Sequence, residues 1–208
     1  MNFPVSADER LGAQIIREAG RFVGLREVKP NAVWDDPATH GPDALLSAEL
    51  SDLMRPSPWL PGWAYCAAFC EGVVSSALEK TGRARAEVRR FREVMSPHCV
   101  SAAAAFKKRG LLDDAPCAGA IWLARHRGTS NGHAGIVTAV RGVSLSTIEA
   151  NTSLDVTNPE KDREGDWITT RLFHARGRGS LETLGFVTPA DILKLVLSSP
   201  VPMVHDVK

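Results

Sequence analysis

The chain lacks a net charge of either sign: 25 Lys and Arg stand against 24 Asp and Glu over 208 residues, a formal charge of +1. Without a basic excess there is no field to gather a phosphate backbone or an anionic lipid surface, so nucleic acid is not an expected partner. Long apolar runs are missing too. No uncharged stretch approaches the ~20 residues that cross a bilayer, and no membrane insertion is expected. Met1 to Arg10 has no basic start followed by an apolar run. That predicts synthesis as a soluble cytoplasmic protein, with any export by a route other than a secretory signal.

Cysteine is sparse and unpatterned. Cys66, Cys70, Cys99 and Cys117 show no CxxC spacing, and a chain of this length needs no stapling, so reduced thiols are expected. The same spacing lacks the close ligand pairs of a structural zinc site, and no HExxH run supplies a catalytic one. Asp35-Asp36, Asp113-Asp114 and the stretch Asp155 to Asp162 contain no complete calcium loop. Glycine strings that cradle phosphates are absent as well. The nearest, Gly177-Arg178-Gly179, reads as a basic turn. Neither a metal nor a cofactor is expected.

What is present is an ordinary globular composition, 44% hydrophobic and 24% charged, consistent with one domain over 1–197 and a frayed tail over 198–208. Ser6 and Glu9 form a capping box ahead of Leu11, Ile15, Ile16, Ala19 and Phe22, predicting a helix from Ala7 to Phe22. From Gly24 to Pro42 prolines, glycine and asparagine replace the apolar period, an irregular surface segment. A short helix is expected over Asp43 to Met54. Pro56, Pro58, Pro61 and Gly62 then stiffen the chain just before Tyr65-Cys66. Cys66, Phe69, Cys70, Val73, Val74, Ala77 and Leu78 predict a largely buried helix stopped by Thr81-Gly82. Ser96-Pro97 opens another, ending at Gly110. Beyond it, short apolar runs at Ala120 to Ala124, Ala134 to Val140, Ser144 to Ala150, Trp167 to Phe173 and Leu184 to Val187 read as strands. A last helix opens at Thr188-Pro189 and fades near Leu197. Helices first and strands second predict an α+β domain with its helices packed on an antiparallel sheet.

Cys66 falls in the first turn of a helix, where free N–H groups and the helix dipole favour a thiolate. His133 stands at the mouth of a strand after Asn131-Gly132. A turn centred near residue 141 or 142 places Glu149 or Asn151 opposite it, bringing a carboxylate and an amide beside an imidazole. Nucleophile, base and orienting group are then available on elements that can converge. His126, in a basic loop, is expected to be solvated, and Cys70, Cys99 and Cys117 to be structural thiols.

The stretches Trp63-Ala64-Tyr65-Cys66-Ala67-Ala68-Phe69, Gly132-His133-Ala134-Gly135-Ile136-Val137 and Thr147-Ile148-Glu149-Ala150-Asn151-Thr152 resemble the CHAP family of cysteine, histidine-dependent amidohydrolases and peptidases, which are related to NlpC-type cell-wall hydrolases. The resemblance implies a papain-like fold, N-terminal helices packed on a small antiparallel sheet. It makes Cys66 the nucleophile, His133 the base, Glu149 its orienting residue and Asn151 a further polar partner. It implies peptidoglycan or a muropeptide as the partner, reached in the manner of a phage lysin or an injected effector. Trp63, Tyr65 and Trp122 are candidates to wall the substrate groove. Two alternatives stand beside this reading: a thiol protease or transamidase acting on a protein, and a muropeptide-binding module without turnover.

Overall fold

Ser6 and Glu9 close their capping box reciprocally. The Glu9 carboxylate accepts the Ser6 N–H at 2.9 Å and the Ser6 hydroxyl accepts the Glu9 N–H at 3.3 Å, starting helix α1 (Ala7–Gly20) where the sequence places it. The structure is a computed structural model that describes residues 5–26, 43–60, 63–153 and 165–198. The irregular segment over 27–42 with His40, the Pro61-Gly62 pair, the acidic stretch Asp155 to Asp162 and the tail from 199 with His205 lie outside the described residues. Helices α2 (Ala44–Met54), α3 (Cys66–Lys80), α4 (Arg85–Val94) and α5 (Cys99–Lys108) follow. The strands are β1 (Ile121–His126), β2 (Gly132–Arg141), β3 (Ser144–Thr152), β4 (Trp167–His174), β5 (Gly177–Arg178) and β6 (Leu181–Val187), and α6 (Pro189–Leu197) comes last.

The expectation of a papain-like fold, with helices on a small open sheet, is overturned by the strand pairing. All six strands close into one antiparallel barrel in chain order. The closure comes from β6, which returns to pair with β1 through Ile121↔Val187 and Trp122↔Phe186, while the two-residue β5 bridges β4 to β6. Register shifts at Leu123/Ala124, Val137/Ala139 and Glu149/Thr152 mark bulges, which bend strands sharply enough to curl a small sheet onto itself. The helices then pack around the barrel. One apolar cluster joins Ile15, Phe69, Val73 and Phe106 of the helices to Ile121, Ala134 and Ile148 on the outer strand faces. A second, built on Trp122, Val137, Leu145, Phe173 and Phe186, fills the interior.

Two helices depart from the sequence reading. Helix α4 was not expected, since only Val88, Phe91 and Val94 are buried along an otherwise charged segment. Helix α5 begins at Cys99 rather than at Ser96-Pro97, because the His98 imidazole, not a serine hydroxyl, accepts the Ser101 N–H. None of the described helices is long and apolar enough to cross a membrane.

Helix α3 is the central strut, buried at every residue from Cys66 to Leu78. Glu18 of α1 anchors its far end, accepting from Lys80 at 2.6 Å and Ser76 at 3.2 Å. Glu71 lies in the same buried run. Burial pushes its carboxyl up to about 7, and the Ser57 hydroxyl and Arg92 guanidinium offset only part of that. A folded-state pKa above the usual 4.5 means the folded protein holds this proton longer than the unfolded chain, so stability declines as pH rises from 4.5 through 7. Glu71→Gln is expected to stabilise the protein by about 2–3 kcal/mol at pH 8 and by little at pH 4, measured by urea unfolding at both values.

Candidate active site

The loop before α3 is fastened at three points. The Trp59 indole donates to the Trp63 carbonyl at 3.0 Å, the Tyr65 hydroxyl donates to the Asp166 carbonyl at 2.9 Å, and the Tyr65 N–H donates to Asn151 Oδ1 at 3.1 Å. Asn151 reaches that N–H from the β3 bulge, where its backbone is left-handed at φ 54°, a conformation asparagine tolerates better than most residues. Cys66 is thereby held as the first residue of α3. Its N-cap, Tyr65, contributes no side-chain cap, so the N–H groups of the first turn keep their free donor capacity.

On the barrel side, Gly135 of β2 pairs with Glu149 of β3. Of the two expected registers, this is the one that aligns Asn151 rather than Glu149 with His133: Glu149 sits opposite Gly135, and reaches His133 diagonally. Glycine at 135 is what permits this, because a Cβ there would lie 2.7 Å from Glu149 Cγ. With that space open, His133 Nε2 meets Glu149 Oε2 at 2.8 Å. The other ring nitrogen, Nδ1, does not face Glu149, and the charge and hydrogen bonding of the imidazole and of Cys66 act on each other's titration. The Trp122 ring meets His133 edge-on, with centroids 6.0 Å apart.

Gly135→Ala is expected to displace the Glu149 carboxylate and slow turnover on the order of 10²-fold while the barrel still folds. Steady-state rates beside a circular dichroism spectrum check it, and an unchanged rate would deny Glu149 its orienting role.

Glu149 is fully buried and fully engaged. Thr147 Oγ1 donates to Oε1 at 2.7 Å, and Arg178 spans both oxygens, with Nη2 to Oε2 at 2.6 Å and Nη1 to Oε1 at 3.3 Å. Burial alone would raise this carboxyl. The His133 hydrogen bond and charge, then Arg178 and Thr147, hold it down at about 2, so the carboxylate stays ionised and orients the ring rather than taking its proton. Arg178 is the site residue the sequence reading missed. Read as a basic turn, it instead lies over the Phe173 ring at 5.4 Å and clamps Glu149. Its one sequence signal is an arginine isolated between two glycines.

Cys99, expected to be a structural thiol, stands with its Sγ 3.7 Å from Cys66 Sγ. The hydrogen bond from Cys99 is the largest influence pulling the Cys66 thiol well below its usual range. Burial opposes it, and the His133 charge and hydrogen bond and the Ala134 N–H assist. Burial would push His133 down, but the Cys66 charge and hydrogen bonds to Cys66 and Glu149 carry it up to about 10. Both shifts favour the thiolate–imidazolium form of the pair. Cys99 is raised by that same hydrogen bond and by burial, and keeps its proton.

Cys66 and His133 open onto a cavity of about 500 Å³ that Asn131, Asn151, Ser153 and Arg178 also line. His126 lines it too, its Nδ1 2.8 Å from Ser180 Oγ, against the expectation of a merely solvated loop residue. Of the three candidate groove aromatics, Trp63 is half-exposed, next to the lining residue Ala64. Tyr65 and Trp122 are instead fully buried: Tyr65 secures the loop, and Trp122 packs in the barrel, donating to Thr183 Oγ1 at 2.8 Å. No family model, no curated protein and no solved structure matches the chain.

Proposed function

We propose that the protein is a cysteine-dependent amidase or endopeptidase that cleaves an amide bond of peptidoglycan through an acyl-enzyme. The observation that carries this reading is the convergence of Cys66, His133 and Glu149 at the 500 Å³ cavity. The thiolate attacks the amide carbonyl carbon, and the uncapped first turn of α3, beginning with the Cys66 N–H, receives the oxyanion. His133 gives its Nδ1 proton to the departing amine, and a thioester to Cys66 remains. Neutral His133 then draws a proton from water, whose oxygen releases the acyl group and restores the thiolate. Glu149, clamped by Arg178 and Thr147, keeps Nε2 protonated and the ring in place throughout.

The substrate class rests on the three motifs that resemble CHAP-type hydrolases. It is supported by a lining of amide, hydroxyl, imidazole and guanidinium groups suited to the amides and carboxylates of a muropeptide. Incubation with purified sacculi followed by mass spectrometry is expected to reveal products with a new amine and a new carboxylate at one bond. Intact sacculi, with an added protein or amine acceptor modified instead, would replace peptidoglycan with a protein substrate.

A further inference from the structure

We propose that Cys66 and Cys99 form a redox pair in which Cys99 is the resolving thiol, so that a hydroperoxide closes the nucleophile reversibly as a Cys66–Cys99 disulfide. Geometry singles out this pair. Each cysteine is the first residue of its helix, α3 for Cys66 and α5 for Cys99, and the sulfurs are 3.7 Å apart, near enough to bond with a modest shift of the side chains. Gly132 lets α5 come this close to the strand, since a Cβ there would stand 2.9 Å from Cys99 Cβ.

The two thiols also differ in access. Cys66 lines the open cavity, whereas Cys99 is buried behind it and is not part of the lining. A small hydroperoxide entering the cavity therefore meets the Cys66 sulfur first, and the thiolate there is the form that reacts.

In the first step the Cys66 thiolate attacks the peroxide O–O bond. Sulfur gains a hydroxyl as sulfenic acid, and the departing alkoxide or hydroxide takes the His133 proton, leaving as alcohol or water. In the second step the Cys99 sulfur attacks the sulfenic sulfur. The S–S bond forms, and the hydroxyl leaves with the Cys99 proton as water. Oxidation of the two thiols to one disulfide gives up the two electrons that reduce one peroxide, and an external dithiol reductant reverses the change. Without Cys99 the sulfenic acid has only further oxidation to sulfinic acid ahead of it. Because this device acts on the nucleophile proposed above, it rests on that reading of Cys66.

The test treats the full chain with hydrogen peroxide, maps peptides without reduction, and scores iodoacetamide labelling of Cys66 before and after dithiothreitol. The wild type is expected to yield a linked Cys66–Cys99 peptide and to regain labelling, roughly tenfold more than Cys99→Ala or Cys99→Ser, whose Cys66 carries two added oxygens instead. The wild-type peptide map stands even if both variants fold poorly. Equal, irreversible loss in wild type and variants, or a link from Cys66 to Cys70 or Cys117, would overturn the pair. A linked Cys66–Cys99 peptide in protein that leaves sacculi intact upholds the pair and overturns the hydrolase reading. Irreversible oxidation in protein that cleaves sacculi does the reverse.

Discussion

Cys66→Ala is expected to abolish cleavage of sacculi, lowering turnover on the order of 10⁴-fold or more, while leaving the folded protein and its affinity for fragments largely intact. Among the described residues, the Cys66 sulfur lines the cavity beside His133 and at the start of α3, where the proposed attack needs it. Methyl for thiol removes little packing. Cys66→Ser is expected to be nearly as inactive, because a hydroxyl beside an imidazolium stays protonated where the thiol ionises. The pH profile carries a second check. The productive thiolate–imidazolium form exists from the lowered pKa of Cys66 up to about 10, where His133 loses its proton. Activity should therefore show an acidic limb well below the ordinary thiol range and an alkaline limb near pH 10. Single-turnover rates across pH measure both, and a variant that still releases muropeptides at the wild-type rate would end the reading of Cys66 as nucleophile.

Glu149→Gln is expected to combine a loss of turnover of about 10²–10⁴-fold with a loss of stability of about 3 kcal/mol. The amide nearly matches the carboxylate in shape, so the packing survives. What goes is the negative charge between two cationic partners, Arg178 and His133. The stability loss has a definite pH dependence. Glu149 titrates near 2 in the folded protein against 4.5 ordinarily, so its contribution is present above pH 4.5 and disappears as pH falls through 2. His133 titrates near 10 against 6.5, so its contribution is complete below pH 6.5 and disappears as pH rises through 10. The difference between wild type and variant should thus be greatest between pH 4.5 and 6.5 and shrink on either side. Denaturant unfolding across that range measures it. The alkaline limb of activity should move down at the same time, since the imidazolium has lost its carboxylate. A variant with wild-type stability at pH 6 and an unmoved limb would leave Glu149 without an orienting role.

Much of the site was legible because its signals are local. The Tyr65-Cys66 junction, with a proline-rich segment before it and an apolar helical period after it, places a thiol at a helix start, and α3 begins at Cys66. The short connection after Arg141 makes β2 and β3 a hairpin, and that hairpin does bring Glu149 to His133. The partner was read as lying opposite. That reading left Glu149 and Asn151 both open, and the register, set past a bulge in the ladder, pairs Glu149 with Gly135 and leaves it one diagonal step from His133. The contacts of Cys99 with Cys66 and of Arg178 with Glu149 were not foreseen for a common reason. Each meets its partner across a separation of 33 or 29 residues, and no periodicity or cap along the chain reports such a distance.

The sequence by itself determined the near-neutral surface, the order of helices before strands, the helix start at Cys66 and the His133–Glu149 hairpin, since each follows from composition or from neighbours within a turn or a hairpin. Only the tertiary structure decided that the sheet closes. Ile121, Trp122, Leu123 and Ala124 are buried on both faces of β1, one toward the helices and one toward the barrel interior, and an unbroken apolar run of that kind is equally compatible with a strand covered on two sides in an open sheet. The pairing of β1 with β6 chooses between them. It was also the tertiary structure that set the Cys99 thiol behind Cys66 and Arg178 across the Glu149 carboxylate. Those contacts are made by barrel curvature and helix packing, where energy is gained only once distant segments have met.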